Sequence, residues 1–539
     1  MTHAFRRMTR EMMNEIAHDY LIPDGTSSQD IKGRIQARSR FSEERPQEVT
    51  KRFLDSFDWS LYLEGVAVEE RRDRGRHLLL WHDLRTDAAP CVQDIRDAPG
   101  FAWDLPPGPL RERVQPVLGV RRLLSLVEVR SRVQTLRLLN DDDKTVARLS
   151  LEESRFNDPS REREGPLALR LRLTPVKGYE DAFHETAQAL DRDLGLEYAR
   201  TPVFLEALAA CGRRPGDYSS GLDYHLDPDK RADATTKEIL LGLLDTLEAN
   251  IEGTKANLDS EFLHDLRVAT RRMRSGLTQI KGVFAPDIVE DYKERFAWVQ
   301  QITGPVRDLD VYLLDFGGYQ KGLPLPLQPH LEPLRGFLFA QYEQAQKAMV
   351  RELGSAKFRH LLKAWRVFLE APVPERSALP NATRAVKIVA DERIWRMYRR
   401  VRKEGRAIMP DSPAPELHEL RKSCKKLRYL LEFFQSLYSK QDVRGLIKLL
   451  KVLLDNLGGF QDLAVQADHL RDMAQRMRDE DRADTDTLLT MGVLVGDLLN
   501  RQQRARVEFA EIFEKFDRKP NRDLFRSLFA PESESRKDS

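Results

Sequence analysis

The sequence predicts a multidomain chain. An α+β domain with a mainly antiparallel sheet comes first, and an all-α domain of two pseudosymmetric helical bundles follows. Three observations lead there. Short runs with strand-like, period-two alternation occupy the chain up to about Ala210. Helical periodicity runs from about Thr236 to Lys515. Within that helical half, one stretch of sequence is written twice, 154 residues apart.

The strand-like runs are "HLLLWHDL" from His77, "LLSLVEVRSRVQTLRLL" from Leu123, "TVARLSLEE" from Thr145 and "PLALRLRLTPV" from Pro166. In the last, Leu167, Leu169, Leu171 and Leu173 point one way and Arg170 and Arg172 the other, the mark of a half-buried strand. "NDDDK" at Asn140 predicts a hairpin turn, and Tyr179 to about Leu208 reads as helix. The first domain is thus expected over 1–212. The Pro-, Gly- and Asp-rich stretch over 213–235 reads as a linker. The helical domain is expected over 236–520, with copies at about 236–372 and 390–518, and 521–539 reads as a polar tail.

Of the 539 residues, 32% are charged, yet the net charge is only +2. Attraction to a polyanion must therefore be local rather than global. The three cysteines, Cys91, Cys211 and Cys424, show neither metal spacing nor a disulfide framework, which fits a reducing compartment. The first 25 residues lack the apolar core of a signal peptide, and no apolar run is long enough to span a bilayer. These features predict a cytoplasmic protein with no membrane partner.

The repeat begins at "LHDLRVATRRMRSGL" from Leu263 and "LHELRKSCKKLRYLL" from Leu417. His264 pairs with His418, Arg267 with Arg421, Arg271 with Lys425, Arg272 with Lys426 and Arg274 with Arg428. Further on, Gly304 pairs with Gly458 and Asp308 with Asp462. On a helical wheel His264, Arg267, Arg271 and Arg274 lie within roughly 80° of one another, opposite Leu266, Met273 and Leu277. His418, Arg421, Lys425 and Arg428 repeat the pattern opposite Leu420, Leu427 and Leu431. Each helix buries one face and carries a basic ladder on the other.

A charge run is most often just a solvated face. Here, like charges at i,i+4 cost about 0.2–0.5 kcal/mol per pair, almost no acids interleave, and the face is duplicated residue for residue. An anionic ligand turns that repulsion into binding energy. The candidate contacts are His264, Arg267, Arg271, Arg272, Arg274, His418, Arg421, Lys422, Lys425, Lys426 and Arg428. Neither histidine has partners for a zinc site, so each is expected to donate a hydrogen bond to a phosphate oxygen. Gly304 and Gly458 are expected to end a helix, with Asp308 and Asp462 near the start of the next. Only Tyr429 lies close to a ladder, so base stacking is poorly supported. Nucleic acid is therefore the weaker alternative to bare phosphate. Two ladders suit a long linear polyphosphate.

The repeated "LHxLRxxxxxxR" helix and the later glycine-then-aspartate segment resemble the CHAD family, the conserved histidine α-helical domain, over roughly residues 230 to 520. That resemblance implies two helical bundles binding inorganic polyphosphate along a basic surface between them, without catalysis, and association with polyphosphate granules. The first half is similar to a divergent CYTH domain in "RFLDSFDWSLYLEGVAVEE" from Arg52, "LVEVRSRVQTLRLL" and "PVKGYEDAF". This implies an antiparallel β-barrel whose interior holds a triphosphate and a divalent metal. The family's opening Glu-x-Glu-x-Lys is missing, however, and Arg170 and Arg172 stand where active members carry carboxylates. The expectation is a non-catalytic accessory domain in which Arg130, Arg132, Arg137, Arg170 and Arg172 either bind an anion or form the solvent side of the sheet. The alternative is a triphosphatase using Mg²⁺ or Mn²⁺.

Overall fold

The computed structural model describes residues 17–86, 90–158, 161–222 and 224–531. The reading of the N-terminal segment as lacking a signal peptide falls largely outside them, as do residues 532–539 of the polar tail. The chain divides into two units, Met1–Ser219 and Ser220–Ser539.

Among the described residues the first unit holds eleven strands, all paired antiparallel, as expected. They are β1 (His18–Leu21), β2 (Phe41–Glu43), β3 (Gln47–Asp55), β4 (Val66–Asp73), β5 (Arg76–Asp83), β6 (Cys91–Asp94), β7 (Leu124–Leu139), β8 (Thr145–Asp158), β9 (Arg163–Pro166), β10 (Arg170–Pro175) and β11 (Glu197–Tyr198). The main path runs β11-β1-β10-β8-β7-β3-β4-β5-β6. The predicted "NDDDK" turn joins β7 to β8, with Asp143 at a positive φ of 59°. The helix expected from Tyr179 to Leu208 is interrupted. It is α4 (Glu180–Arg192), then β11, then α5 (Val203–Ala210), because Gly195 at φ 62° turns the chain back to pair with β1.

Alternation gives this sheet two unlike faces. Leu136, Leu138, Leu149, Leu151, Leu171 and Leu173 share one face and pack under α1 (Ser28–Gln36) and α4. Further along, the same face packs Val66, Val68 and Leu79 under α3 (Pro109–Leu118), beyond the short α2 (Ser60–Leu63). The opposite face carries Asp19, Lys51, Glu69, Arg71, His82, Glu152, Arg170 and Arg172. That charged face is concave. Lys51 on β3 meets Glu152 on β8 at 2.9 Å, although β7 lies between their strands. The charge of Glu69 on β4 also reaches Arg172 on β10, four ladder steps away. A flat sheet would separate those strands by about 19 Å, so the sheet is rolled with its charges inside, as a barrel requires.

The second unit is all helical. The first copy runs α6 (Ala232–Lys255), α7 (Ser260–Gln279), α8 (Pro286–Gly322), α9 (Glu332–Leu353) and α10 (Ala356–Glu370). The second runs α11 (Val386–Ala407), α12 (Ala414–Phe434), α13 (Lys440–Asp479), α14 (Thr485–Phe516) and α15 (Lys519–Phe529). The first three helices of each copy start 154 residues apart. The copies meet reciprocally. Ala232 N–H donates to the Arg384 carbonyl and Val386 N–H to the Lys230 carbonyl, both at 2.8 Å. Each group is bonded by its repeat counterpart's neighbour, as a pseudo-twofold axis demands. No helix among the described residues is long and apolar enough to cross a membrane.

Three expectations change here. α6 begins at Ala232, and Leu222 and Leu226 join its core, so the linker is shorter than 213–235. Residues 521–529 are not tail but the end of α15, with Phe525 and Phe529 buried in the main core. And Gly304 and Gly458 end no helix. They sit inside the unbroken α8 and α13, so Asp308 and Asp462 are mid-helix residues, not first-turn ones.

Candidate phosphate-binding groove

α7 and α12 pack against each other, each burying the leucine face its periodicity predicts: Leu266, Met273 and Leu277 on one, Leu420, Leu427 and Leu431 on the other. The basic ladders are not the freely solvated faces of ordinary surface helices. Arg267, Arg271, Arg274, Arg421, Lys425 and Arg428 are all half-buried.

The mid-helix glycines explain part of this geometry. Arg267 donates from Nη1 to the Gln300 carbonyl and the Thr303 hydroxyl, both at 2.8 Å. Its guanidinium thus lies on the backbone of α8. A side chain at Gly304 would begin 3.8 Å from that nitrogen. In the second copy Arg421 Nη2 binds Asp462 at 3.0 and 3.1 Å, and a Cβ at Gly458 would sit 3.3 Å from it. Glycine in a helix interior costs about 1 kcal/mol relative to alanine. At Gly458 it leaves room for Arg421 against the helix, whereas at Gly304 a Cβ would stand in ordinary contact. Pro305 follows Gly304 and cannot supply the N–H that would bond the Gln301 carbonyl, which loosens the same turn.

The charges at the centre are under-compensated. Among the described residues, the side chains of Arg271, Arg274 and Lys425 make no ion pair or hydrogen bond, and the ε nitrogens of Arg267, Arg274 and Arg421 are buried without a hydrogen-bond partner. Burial, then Arg421 and Arg271, brings the Lys425 ammonium down to about 8. Burial and then Arg271 bring Arg267 down to about 10. Lys425 of one copy therefore feels Arg271 of the other, so the ladders converge.

Not every predicted residue belongs to this centre. Arg272 turns away to the Ser220 carbonyl at 2.8 Å and to Glu432 at 3.2 Å, a structural tie. Arg428 shares Glu432 at 3.3 Å. Lys422 is exposed and paired with Glu419, and Lys426 feels Arg400 and Lys422 rather than the groove arginines. His418 Nδ1 lies 2.6 Å from Gln461 Oε1, which also accepts from Arg421. Nδ1 therefore carries a proton, and Nε2 can donate to a phosphate oxygen only when the ring is protonated. His264 occupies the matching turn of α7, half-buried. One cation escaped the sequence reading. Arg307 on α8 lies close enough to weigh on Arg267, and its buried Nη1 has no hydrogen-bond partner, standing 4.0 Å from Glu261. Gln461 occupies its place in the second copy, so the repeat gave no signal for it.

The five arginines singled out in the first unit do not form one site. Arg130 and Arg132 are on the outer face, Arg130 bonded to Glu128 at 2.8 Å. Arg137, Arg170 and Arg172 are on the concave face. Arg170 holds α5 through Glu206 and the Thr201 carbonyl, and Arg172 grips Asp19 at 2.6 and 2.8 Å. The concave acids are engaged in turn. Glu152 has Lys51. Glu69 has Arg71 at 2.6 Å and His82 at 3.2 Å, which hold its carboxyl well below the usual range although burial pushes the other way. Asp19 is the one acid of the opening strand. Each carboxylate thus already has the positive charge a divalent metal would supply. Among the described residues, no three His, Cys, Asp or Glu side chains gather to hold a metal ion. As arranged, this face does not fit a metal.

Residues 238–471 match the model of the CHAD domain family. Two uncharacterized proteins from strains of Mycobacterium tuberculosis are 27% identical over 321 residues, 56% of this chain and 56% of theirs. The chain thus spans about half the length of these curated relatives. Among solved structures, the CHAD domain from the plant Ricinus communis is similar at 23% identity and a TM-score of 0.46, covering 58% of this chain and 98% of that one. A putative adenylyl cyclase from Hippeastrum, described as revealing a dominant triphosphatase activity, is similar at 13% identity and a TM-score of 0.25, covering 38% of this chain and all of its own. The repeated histidine–arginine helices therefore lie within the span that the CHAD domain model matches.

Proposed function

We propose that the helical unit binds inorganic polyphosphate in the groove where α7 and α12 converge. The observation that carries this reading is the set of half-buried cations without counter-ions, Arg271, Arg274 and Lys425. The chain has 86 acidic residues for 88 basic ones, so acids were available to pair them. A linear phosphate chain offers negative charge at every unit and needs no base reader, which suits guanidinium and ammonium groups without interleaved aromatics. Arg267, Arg307, Arg421 and Arg428 flank the centre, and His264 and His418 supply further donors. The first unit, with its internal charges mutually paired, serves as an accessory module.

The test is a binding titration of the full chain with polyphosphate at several salt concentrations. Affinity should fall steeply with salt as counterions are released. Replacing Arg271, Arg274 and Lys425 together with alanine should weaken binding at least a hundredfold while helicity is retained. Unchanged affinity in that variant refutes the assignment. DNA that displaces polyphosphate at equal phosphate concentration refutes the selectivity.

A further inference from the structure

We infer that the second copy carries an outer track that takes the overhanging part of a long polyphosphate chain, and that the first copy has none. The inference rests on the groove reading and deepens it.

The duplicated fold has broken its charge symmetry most extensively along α11. On α11, Arg396, Arg399, Arg400 and Lys403 fall at i, i+3, i+4 and i+7, one stripe, and all four are exposed. Lys422 and Lys426 on α12 lie beside it, and Lys426 feels the charges of Arg400 and Lys422. On the helical wheel these two lysines are on the far side of His418 from Arg421 and Lys425. The basic surface is therefore continuous from the groove, around α12, to α11. Acids temper it, among them Glu404 on Arg400 at 2.6 Å and Glu419 on Lys422 at 2.6 Å, and Glu392 feels Arg396. Arg396, Lys403 and Lys426 make no ion pair among the described residues.

At the six matching positions the first copy has Gly242, Asp245, Thr246, Ala249, Val268 and Arg272. The one cation there is tied to Glu432, and Asp245 faces Arg366 at 2.6 Å. Both copies fold alike, so the fold does not ask for these cations. Packing does not either, since all but the half-buried Lys426 stand in solvent, where like charges at i,i+4 are a small cost. A phosphate chain leaving the groove on the second copy's side meets compensating charge. At the matching positions of the first copy the cations, Arg272 and the neighbouring Arg366, are already paired with acids.

The experiment compares the full chain with the triple variant Arg396→Ser, Arg400→Ser, Lys403→Ser, using sodium tripolyphosphate and long-chain polyphosphate. Tripolyphosphate fits within the groove, so its Kd should stay within about twofold. Long-chain affinity should fall about tenfold or more, with the salt slope shallower by roughly two to three. Equal losses for both probes, or no loss for either, overturn the outer track. Duplex DNA binding that exceeds long-chain polyphosphate binding, and is lost in the triple variant alone, overturns it too by making the stripe a nucleic-acid surface. Wild-type protein that binds neither phosphate probe refutes the groove reading itself, a result distinct from a triple variant that merely fails to discriminate.

Discussion

Lys425 of the second copy lies near enough to Arg271 of the first for that arginine to disfavour the lysine's charge. With burial and Arg421, this leaves the Lys425 ammonium at about 8. A bound polyanion favours the charged form and raises that value, so binding above pH 8 must first put the proton back. Polyphosphate affinity should therefore drop about tenfold between pH 7 and pH 9. Lys425→Arg should remove that limb of the profile. Calorimetry in buffers of different ionisation enthalpy should show proton uptake on binding near pH 8.5, and none in the arginine variant.

The same strain makes Lys425 a cost to the unliganded fold. Its value is lowered from that of the unfolded chain, so stability without ligand should rise as pH climbs from about 8 towards the ordinary lysine range. Lys425→Met should raise Tm by about 2–4 °C, for roughly 1 kcal/mol relieved, while weakening polyphosphate binding. Thermal melts with and without ligand separate the two effects. A lower Tm in the methionine variant would mean that the ammonium is held by partners after all.

The glycines allow a paired test. Gly304→Ala places a methyl 3.8 Å from Arg267 Nη1, ordinary contact, and should stabilise by about 0.5–1 kcal/mol through helix propensity. Gly458→Ala places one 3.3 Å from Arg421 Nη2 and should forfeit most of that gain by shifting Arg421 off Asp462. Denaturant midpoints should rank Gly304→Ala above Gly458→Ala, and polyphosphate affinity should fall in the second alone.

Much of this was legible in the sequence, for a physical reason. A helix that must bury leucines and present arginines writes both faces into a 3.6-residue period, and duplication writes it twice. The ladders, the copies and the antiparallel sheet followed. What escaped was whatever depends on through-space meeting. Gly304 and Gly458 look like helix stops because sequence shows the missing side chain but not the arginine that lies against the helix there. Arg307 is absent from the second copy, so a reading built on the repeat passes over it. Arg130 and Arg170 look alike in strands, and only the register shows that they face opposite sides of the sheet. Residues 521–529 read as polar, but "DLFRSLF" places Phe525 and Phe529 four apart, a narrow apolar stripe easily lost among charges.

Lys51 and Glu152 are both nearly inaccessible, at 5% and 8% exposure, and meet at 2.9 Å inside the rolled sheet. Lys51→Met should cost about 3–5 kcal/mol, because Glu152 is left buried without its cation. The double variant Lys51→Met, Glu152→Leu should recover most of the loss. Urea denaturation followed by a probe in the first unit checks this. A double variant no better than the single would mean that Glu152 draws its compensation from Arg172 rather than Lys51.

α15 supplies the last test. Phe525 stacks on Tyr398 with centroids 3.8 Å apart and planes at 10°, and Phe529 meets Tyr438 edge-on at 4.8 Å. Both rings close the core beside α11, the helix that carries the outer basic stripe. Phe525→Ala should cost about 3–5 kcal/mol, visible as a lower urea midpoint. Because Tyr398 lies on the inner side of α11, loosening it should also blunt long-chain polyphosphate binding more than tripolyphosphate binding. A Phe525→Ala protein with unchanged stability would return residues 521–529 to the tail that their composition suggests.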